Sequence, residues 1–204
     1  YYTATGGDGV AGALRSVVGL GTYDRLCGEG HDPRTVPQAT LDAYADVTLT
    51  YVGDPGIVWF GRAKLQFMSG GLGDWTGQDP GRRTFAYLYV ENAPRVVGPN
   101  ASLHKTCIAE LGVSLDVVHT NFAGQTMLVV DDPYTSAGEW YYATGYDADG
   151  RVAWQAGPSA VAGYSEDDAA LVTLHDDQGL VGSYAYHDGT EGPAGYLQAE
   201  SVSK

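Results

Sequence analysis

Five histidines, two cysteines and a scatter of carboxylates are the residues whose types could do chemistry in this 204-residue chain. His31, His104, His119, His175 and His187 include no pair at a spacing that sets two imidazoles on one metal ion. His119 lies on an expected strand three residues from Asp116. Residues three apart on a strand point to opposite faces, so without a bulge the two form no dyad. His104 and Cys107 fall three apart on a segment that reads as a helix, which would bring them to one face as a Cys–His nucleophile pair. Cys107 is better explained as a disulfide partner or a core thiol. No Gly-x-Ser-x-Gly elbow, His-Glu-x-x-His helix or phosphate-loop motif is present.

The carboxylates offer two further chemistries. Asp147-x-Asp149-Gly150 begins like a calcium loop, and Asp147 and Asp149 are the candidate metal ligands, but the third oxygen ligand and the distal Glu are lacking. Calcium is the single cofactor these turns suggest. Acidic doublets at Asp131-Asp132, Asp167-Asp168 and Asp176-Asp177 read by default as solvated turns. A carboxylate pair could also cleave a glycosidic bond, one acid beside one base or nucleophile. Glu91, Glu110, Glu139, Glu166 and Glu200 have the type for that work, and spacing does not choose among them.

Aromatic residues are the remaining positive feature. Trp75, Trp140, Trp154, Tyr141, Tyr142, Tyr164, Tyr184 and Tyr186 could stack on sugars or anchor a protein partner, and most such rings fill cores and sheet faces. Trp75, in a Gly-rich loop, is the first candidate for an exposed contact, and Tyr141 the second. The run from Tyr146 to Val152 resembles one unit of the YD repeats of bacterial toxin shells, and equally a common Asp-x-x-Gly hairpin turn followed by Arg; it occurs once.

Composition narrows the setting. A net charge of −14 would repel phosphate backbones, so nucleic acid is excluded as a partner. No apolar run reaches the roughly 18 residues of a membrane-spanning helix. A chain opening on Tyr1 rather than Met reads as processed, and one cysteine pair, Cys27 with Cys107, suits a disulfide in an exported, extracellular or cell-surface protein. Asn100-Ala101-Ser102 is an acceptor sequon.

The elements that must position these residues are short. Twenty-nine glycines and 15 tyrosines point to strands joined by tight turns. Helices are expected near 9–19, from Pro37 to Asp46, and from Ser102, as N-cap, to Gly112. Alternation marks strands at 47–52, 57–68, 84–90, 113–121, 126–131, 140–146, 152–155, 170–175, 180–187 and 195–199. Residues 1–36 read as an irregular segment packed on a single β-rich domain spanning 1–204. The fold class is all-β, an antiparallel sandwich or barrel of roughly nine or ten short strands with two or three short helical insertions. In the clearest hairpin, 140–155, a type I turn with Gly150 in the left-handed position would put Trp140, Tyr142, Val152 and Trp154 on one buried face and Tyr141 and Gln155 on the other. The functional expectation is a binding or assembly protein presenting aromatic and acidic loops to a carbohydrate or a protein surface, with self-assembly as one mode. The alternative is a secreted hydrolase with a carboxylate- or His-based site in a cleft.

Overall fold

A computed structural model describes residues 1–69, 82–91, 98–110, 112–133, 138–168 and 170–203. The strands are β1 (Ser16–Val17), β2 (Val47–Tyr51), β3 (Ala63–Ser69), β4 (Arg82–Glu91), β5 (His104–Glu110), β6 (Ser114–Thr120), β7 (Thr126–Asp132), β8 (Trp140–Tyr146), β9 (Val152–Ala156), β10 (Val161–Tyr164), β11 (Val172–Leu174), β12 (Val181–Tyr186) and β13 (Leu197–Ser203). Two short helices, α1 (Leu20–Gly28) and α2 (Gln38–Tyr44), complete the described elements. Strand order is β1-β2-β3-β4-β5-β6-β7-β8-β9-β12-β13, with β10 and β11 as a separate ribbon. The order does not close, so the all-β expectation resolves to an open, sandwich-like antiparallel fold and not a barrel. Contacts group the chain into two compact units, Tyr1–Leu88 with Ile108–Ser114, and Tyr89–Cys107 with Leu115–Lys204.

In the first unit the 47–68 hairpin forms as β2 and β3, in register from Val47↔Met68 to Tyr51↔Ala63. Residues 57–62, expected to continue the strand, are turns instead. The helix expected near 9–19 does not form: that stretch is turns and the short strand β1, and a helix that was not expected, α1, begins at Leu20. The Asp46 carboxylate accepts from the Gly19 N–H and the Thr22 hydroxyl. The first of these satisfies the Gly19 N–H, a donor that a helix N-terminus otherwise leaves open. Asp42 on α2 accepts from Arg15 Nη2 at 2.6 Å, from the Ser16 hydroxyl and from Gln38 Nε2 at 2.9 Å, and so ties α2 to β1. Burial works against the Asp42 charge, but these three donors outweigh it and hold the carboxyl below the usual range.

The segment expected as a helix over 102–112 is strand β5. Thr106 and Ile108 are β-branched and favour a pleated surface. The Leu103 N–H donates to the Thr120 carbonyl at 2.9 Å, joining the start of β5 to β6. The expected disulfide is absent as well. Cys27 sits exposed on α1, Cys107 sits half-buried on a strand, and the two are not bonded. Near Cys27, a hydrogen bond to the thiol raises the Tyr23 phenol.

The second unit is a sheet with two unlike faces. Paired residues share a face in an antiparallel ladder. One face carries Val117 and His119 on β6, Leu128 and Val130 on β7, Tyr141, Ala143 and Gly145 on β8, and Trp154 and Ala156 on β9. The β10–β11 ribbon covers it: Ala160, Val161 and Leu171 complete a core with Leu128, Val130, Ala143 and Ala156. The hairpin turn forms as expected, with Gly150 at φ 78° and its N–H donating to the Asp147 carbonyl at 3.0 Å. The expected face assignment does not survive. Tyr146 pairs with Val152 but Gly145 pairs with Trp154, so one extra residue on β9 flips Trp154 to the covered face. Trp140 and Tyr142 stay on the opposite face, 48% and 44% exposed.

Gly145 is what the bulge requires. A Cβ there would lie 2.1 Å from the Trp154 indole nitrogen, so the ring lies across a bare backbone. Asn100 closes the end of β8, its side-chain amide donating to the Tyr146 carbonyl and accepting from the Tyr146 N–H, each at 2.7 Å. The sequon nitrogen is therefore engaged in the fold. Replacing Gly145 by Val should displace the indole and lower stability by about 1–3 kcal/mol; urea denaturation with Trp fluorescence reads this, and a midpoint equal to wild type would contradict it.

Candidate functional site

The uncovered face of the second unit is built from the other half of each strand's residues. Asp116 on β6, Asp131 on β7 and Trp140 on β8 stand in one row; Val118, Val129 and Tyr142 stand in the next. Neighbours within a row are about 4.8 Å apart, and the rows are about 7 Å apart, set by strand spacing and the two-residue repeat. The result is a sheet face with two exposed aromatic rings on β8, a half-buried aspartate on β7 beside it and a second half-buried aspartate on β6 beyond. Each ring offers an electron-rich face to C–H groups or cations. Each carboxylate accepts hydrogen bonds and, when ionised, donates none. Further along the same face Tyr184 on β12 donates its hydroxyl to Gln155 Oε1 at 3.1 Å.

Behind this face, under the β10–β11 ribbon, lies a polar cluster. His119 is 0% exposed. Its Nδ1 lies 3.1 Å from the Ser102 hydroxyl. Its Nε2 has no hydrogen-bond partner among the described residues and faces Glu166 Oε1 at 3.8 Å. Lys105 Nζ donates to the same Glu166 oxygen at 2.6 Å. The Tyr164 ring packs at 5.7 Å from the His119 ring and 5.8 Å from the Tyr141 ring. Burial pushes the imidazole down; Glu166 pulls it back and Lys105 adds to the depression. The hydrogen bond to Glu166 raises Lys105. Tyr141 donates its hydroxyl to Glu139, and that bond, with burial behind it, pushes the phenol up to about 12. The cluster is thus a neutral histidine, an ion pair and two protonated tyrosines.

The residues singled out by sequence fall as follows. Trp75 lies outside the described residues. Tyr141 is half-buried on the covered face beside Tyr164. Asp147 and Asp149 share Arg151: Asp147 accepts from Nε and Asp149 from Nη2, both at 2.8 Å, and Asp147 also accepts from the Asp149 and Arg151 backbone N–H groups. Their oxygens serve the turn, and among the described residues no three His, Cys, Asp or Glu side chains converge as metal ligands. Glu110 pairs in a fork with Arg83, at 2.6 Å from Nε, in the first unit. The contact of Ser102 with His119, 17 residues apart, carries no local sequence signal. The outward set of Trp140 and Tyr142 had one: an isolated glycine in a strand, Gly145, is a bulge signal.

Comparison with family models, curated proteins and solved structures finds no match for this chain.

His119 predicts a pH dependence of stability. Its folded pKa lies below the unfolded value of about 6.5, so between the two the unfolded chain binds the extra proton. Its contribution is therefore complete above about pH 6.5 and is lost as pH falls towards the folded pKa. A His119→Gln variant should show a shallower loss of denaturation free energy between neutral and mildly acidic pH than wild type; parallel curves would contradict this.

Proposed function

We propose that this protein is an exported carbohydrate-binding module that lays a neutral sugar chain on its uncovered sheet face. The observation that carries the reading is the pair Trp140 and Tyr142, exposed at two-residue spacing on one strand, with Asp131 alongside and Asp116 beyond it. A pyranose ring has an apolar C–H face and a hydroxyl rim. Stacked aromatics suit the first, and carboxylate acceptors suit the second. The acidic chain repels phosphates and sulfates but not an uncharged polyol. A sheet face also suits a polymer better than a small molecule, which prefers a concave pocket.

Hydrolysis is the second reading, favoured by the Ser102–His119–Glu166 array. It ranks below binding on access: His119 is fully buried and cannot reach a substrate's leaving group in this conformation, whereas the aromatic face is open.

Calorimetric titration with cello-, malto- and chito-oligosaccharides tests the reading. At least one series should bind saturably, and Trp140→Ala should weaken it roughly tenfold, about 1.4 kcal/mol. Tyr142→Ala should act in the same direction, while Tyr1→Ala, exposed in the first unit, should change nothing. No saturable binding at millimolar sugar, or wild-type affinity in Trp140→Ala, would sink it. A fluorophosphonate probe separates the two readings: the binding module leaves Ser102 unlabelled, and stoichiometric labelling of Ser102 would put the hydrolase first.

A further inference from the structure

The last strand of the second unit stands apart from its core. All seven residues of β13, Leu197–Ser203, are exposed. Among the described residues β13 pairs on one side only, with β12, from Val181↔Ser203 to Tyr186↔Leu197. Its other edge presents a row of backbone N–H and C=O groups about 24 Å long, from the rise per residue. Exposed edges are normally blunted with proline, lysine or inward charges. Over Leu-Gln-Ala-Glu-Ser-Val-Ser there is no proline and no basic residue, and Glu200 is the one charge.

We propose that β13 is a self-association edge, where a second copy of this chain adds its own β13 antiparallel and the two sheets become one. Closed two-fold symmetry and the charge on the strand select the register. In antiparallel pairing the two-fold axis runs along the sheet normal and passes midway between the two copies of one residue, which stand opposite each other. An axis at Glu200 would set two carboxylates directly opposite each other, which is destabilising. An axis at Ala199 would run the pairing into the irregularity next to Leu197, where Ala185 and Tyr186 shift register against β13. An axis at Ser201 avoids both and keeps the five residues 199–203 of β13 paired, where an axis at Val202 or Ser203 would keep three or one. It sets Glu200 opposite the partner's Val202 and Ala199 opposite the partner's Ser203. Glu200 and Val202 lie on one face of β13, opposite Tyr184 and Gly182 of β12, so the facing residues match in direction.

An axis along the sheet normal keeps like faces on the same side. The two Trp140–Tyr142 surfaces would then lie side by side on one continuous sheet, a bivalent surface that raises avidity for a polymer without any new contact. The self-association itself does not depend on what that face binds. A pairing confined to one edge is small by the standard of stable interfaces, so the dimer is weak and concentration-dependent. The net charge of −14 opposes it, so it strengthens as salt screens the repulsion.

Sedimentation equilibrium of the whole chain from low micromolar to millimolar concentration, at low and moderate salt, tests this. Wild type should show a reversible monomer–dimer equilibrium that shifts towards dimer with salt. In Val202→Glu the new carboxylate meets Glu200 of the other copy twice per dimer, and association should fall roughly three- to tenfold. In Val202→Lys the same positions form opposite-charge pairs, and association should rise by a similar factor. Val202 is 63% exposed, so both variants should melt as wild type does, which circular dichroism checks. A chain monomeric throughout, or a dimer indifferent to both substitutions, overturns the proposal.

Discussion

The second unit depends on one cross-strand pair. Trp154 lies over Gly145, and the extra residue that allows this shifts every side chain on β9 relative to the turn. A strand alternates faces with a period of two, so a single inserted residue decides which half of the hairpin is core. With the bulge, Trp154, Tyr141 and Ala143 go under the β10–β11 ribbon. Trp140 and Tyr142 are left outside. Without it, Trp140 and Trp154 would share one face, and the fold would have to bury both tryptophans or expose both.

That division sets the two environments. Under the ribbon, apolar packing surrounds a small polar array whose parts satisfy one another unevenly. Glu166 answers Lys105 fully and His119 only at 3.8 Å. A neutral histidine with one nitrogen engaged costs less to bury than a charged one, which is why burial outweighs the nearby carboxylate. On the other side, Trp140 and Tyr142 keep nearly half of their surface exposed. A surface that combines two exposed aromatics with neighbouring acids keeps apolar area it has not buried, and the proposed sugar binding would use that area.

Much of the architecture was legible in alternation alone. The strands at 47–51, 114–120 and 126–132 and the helix at 38–44 sit where periodicity and turn residues put them. The failures have identifiable causes. Ser102 with Leu103, Cys107 and Leu111 imitates a capped helix, but the β-branched Thr106 and Ile108 and the pairing to β6 decide for strand. The Cys27–Cys107 bridge is an expectation from the count of one cysteine pair, and a count does not decide whether two thiols bond. At the 147–150 turn, Arg151 folds back to both Asp147 and Asp149, a pairing that a sequence does not show. The His119 cluster joins residues from 102 to 166, and only tertiary structure brings these together. Gly145 was the signal within reach, since glycine inside a strand marks a bulge or a close approach.

Hydroxyl-radical footprinting read by mass spectrometry tests the two-faced sheet most directly. Opposite faces for the two tryptophans predict fast oxidation of Trp140 and Tyr142 and strong protection of Trp154 and Tyr141 in the native chain, with the difference lost in denaturant. Equal oxidation of Trp140 and Trp154, or protection of Trp140, would contradict it.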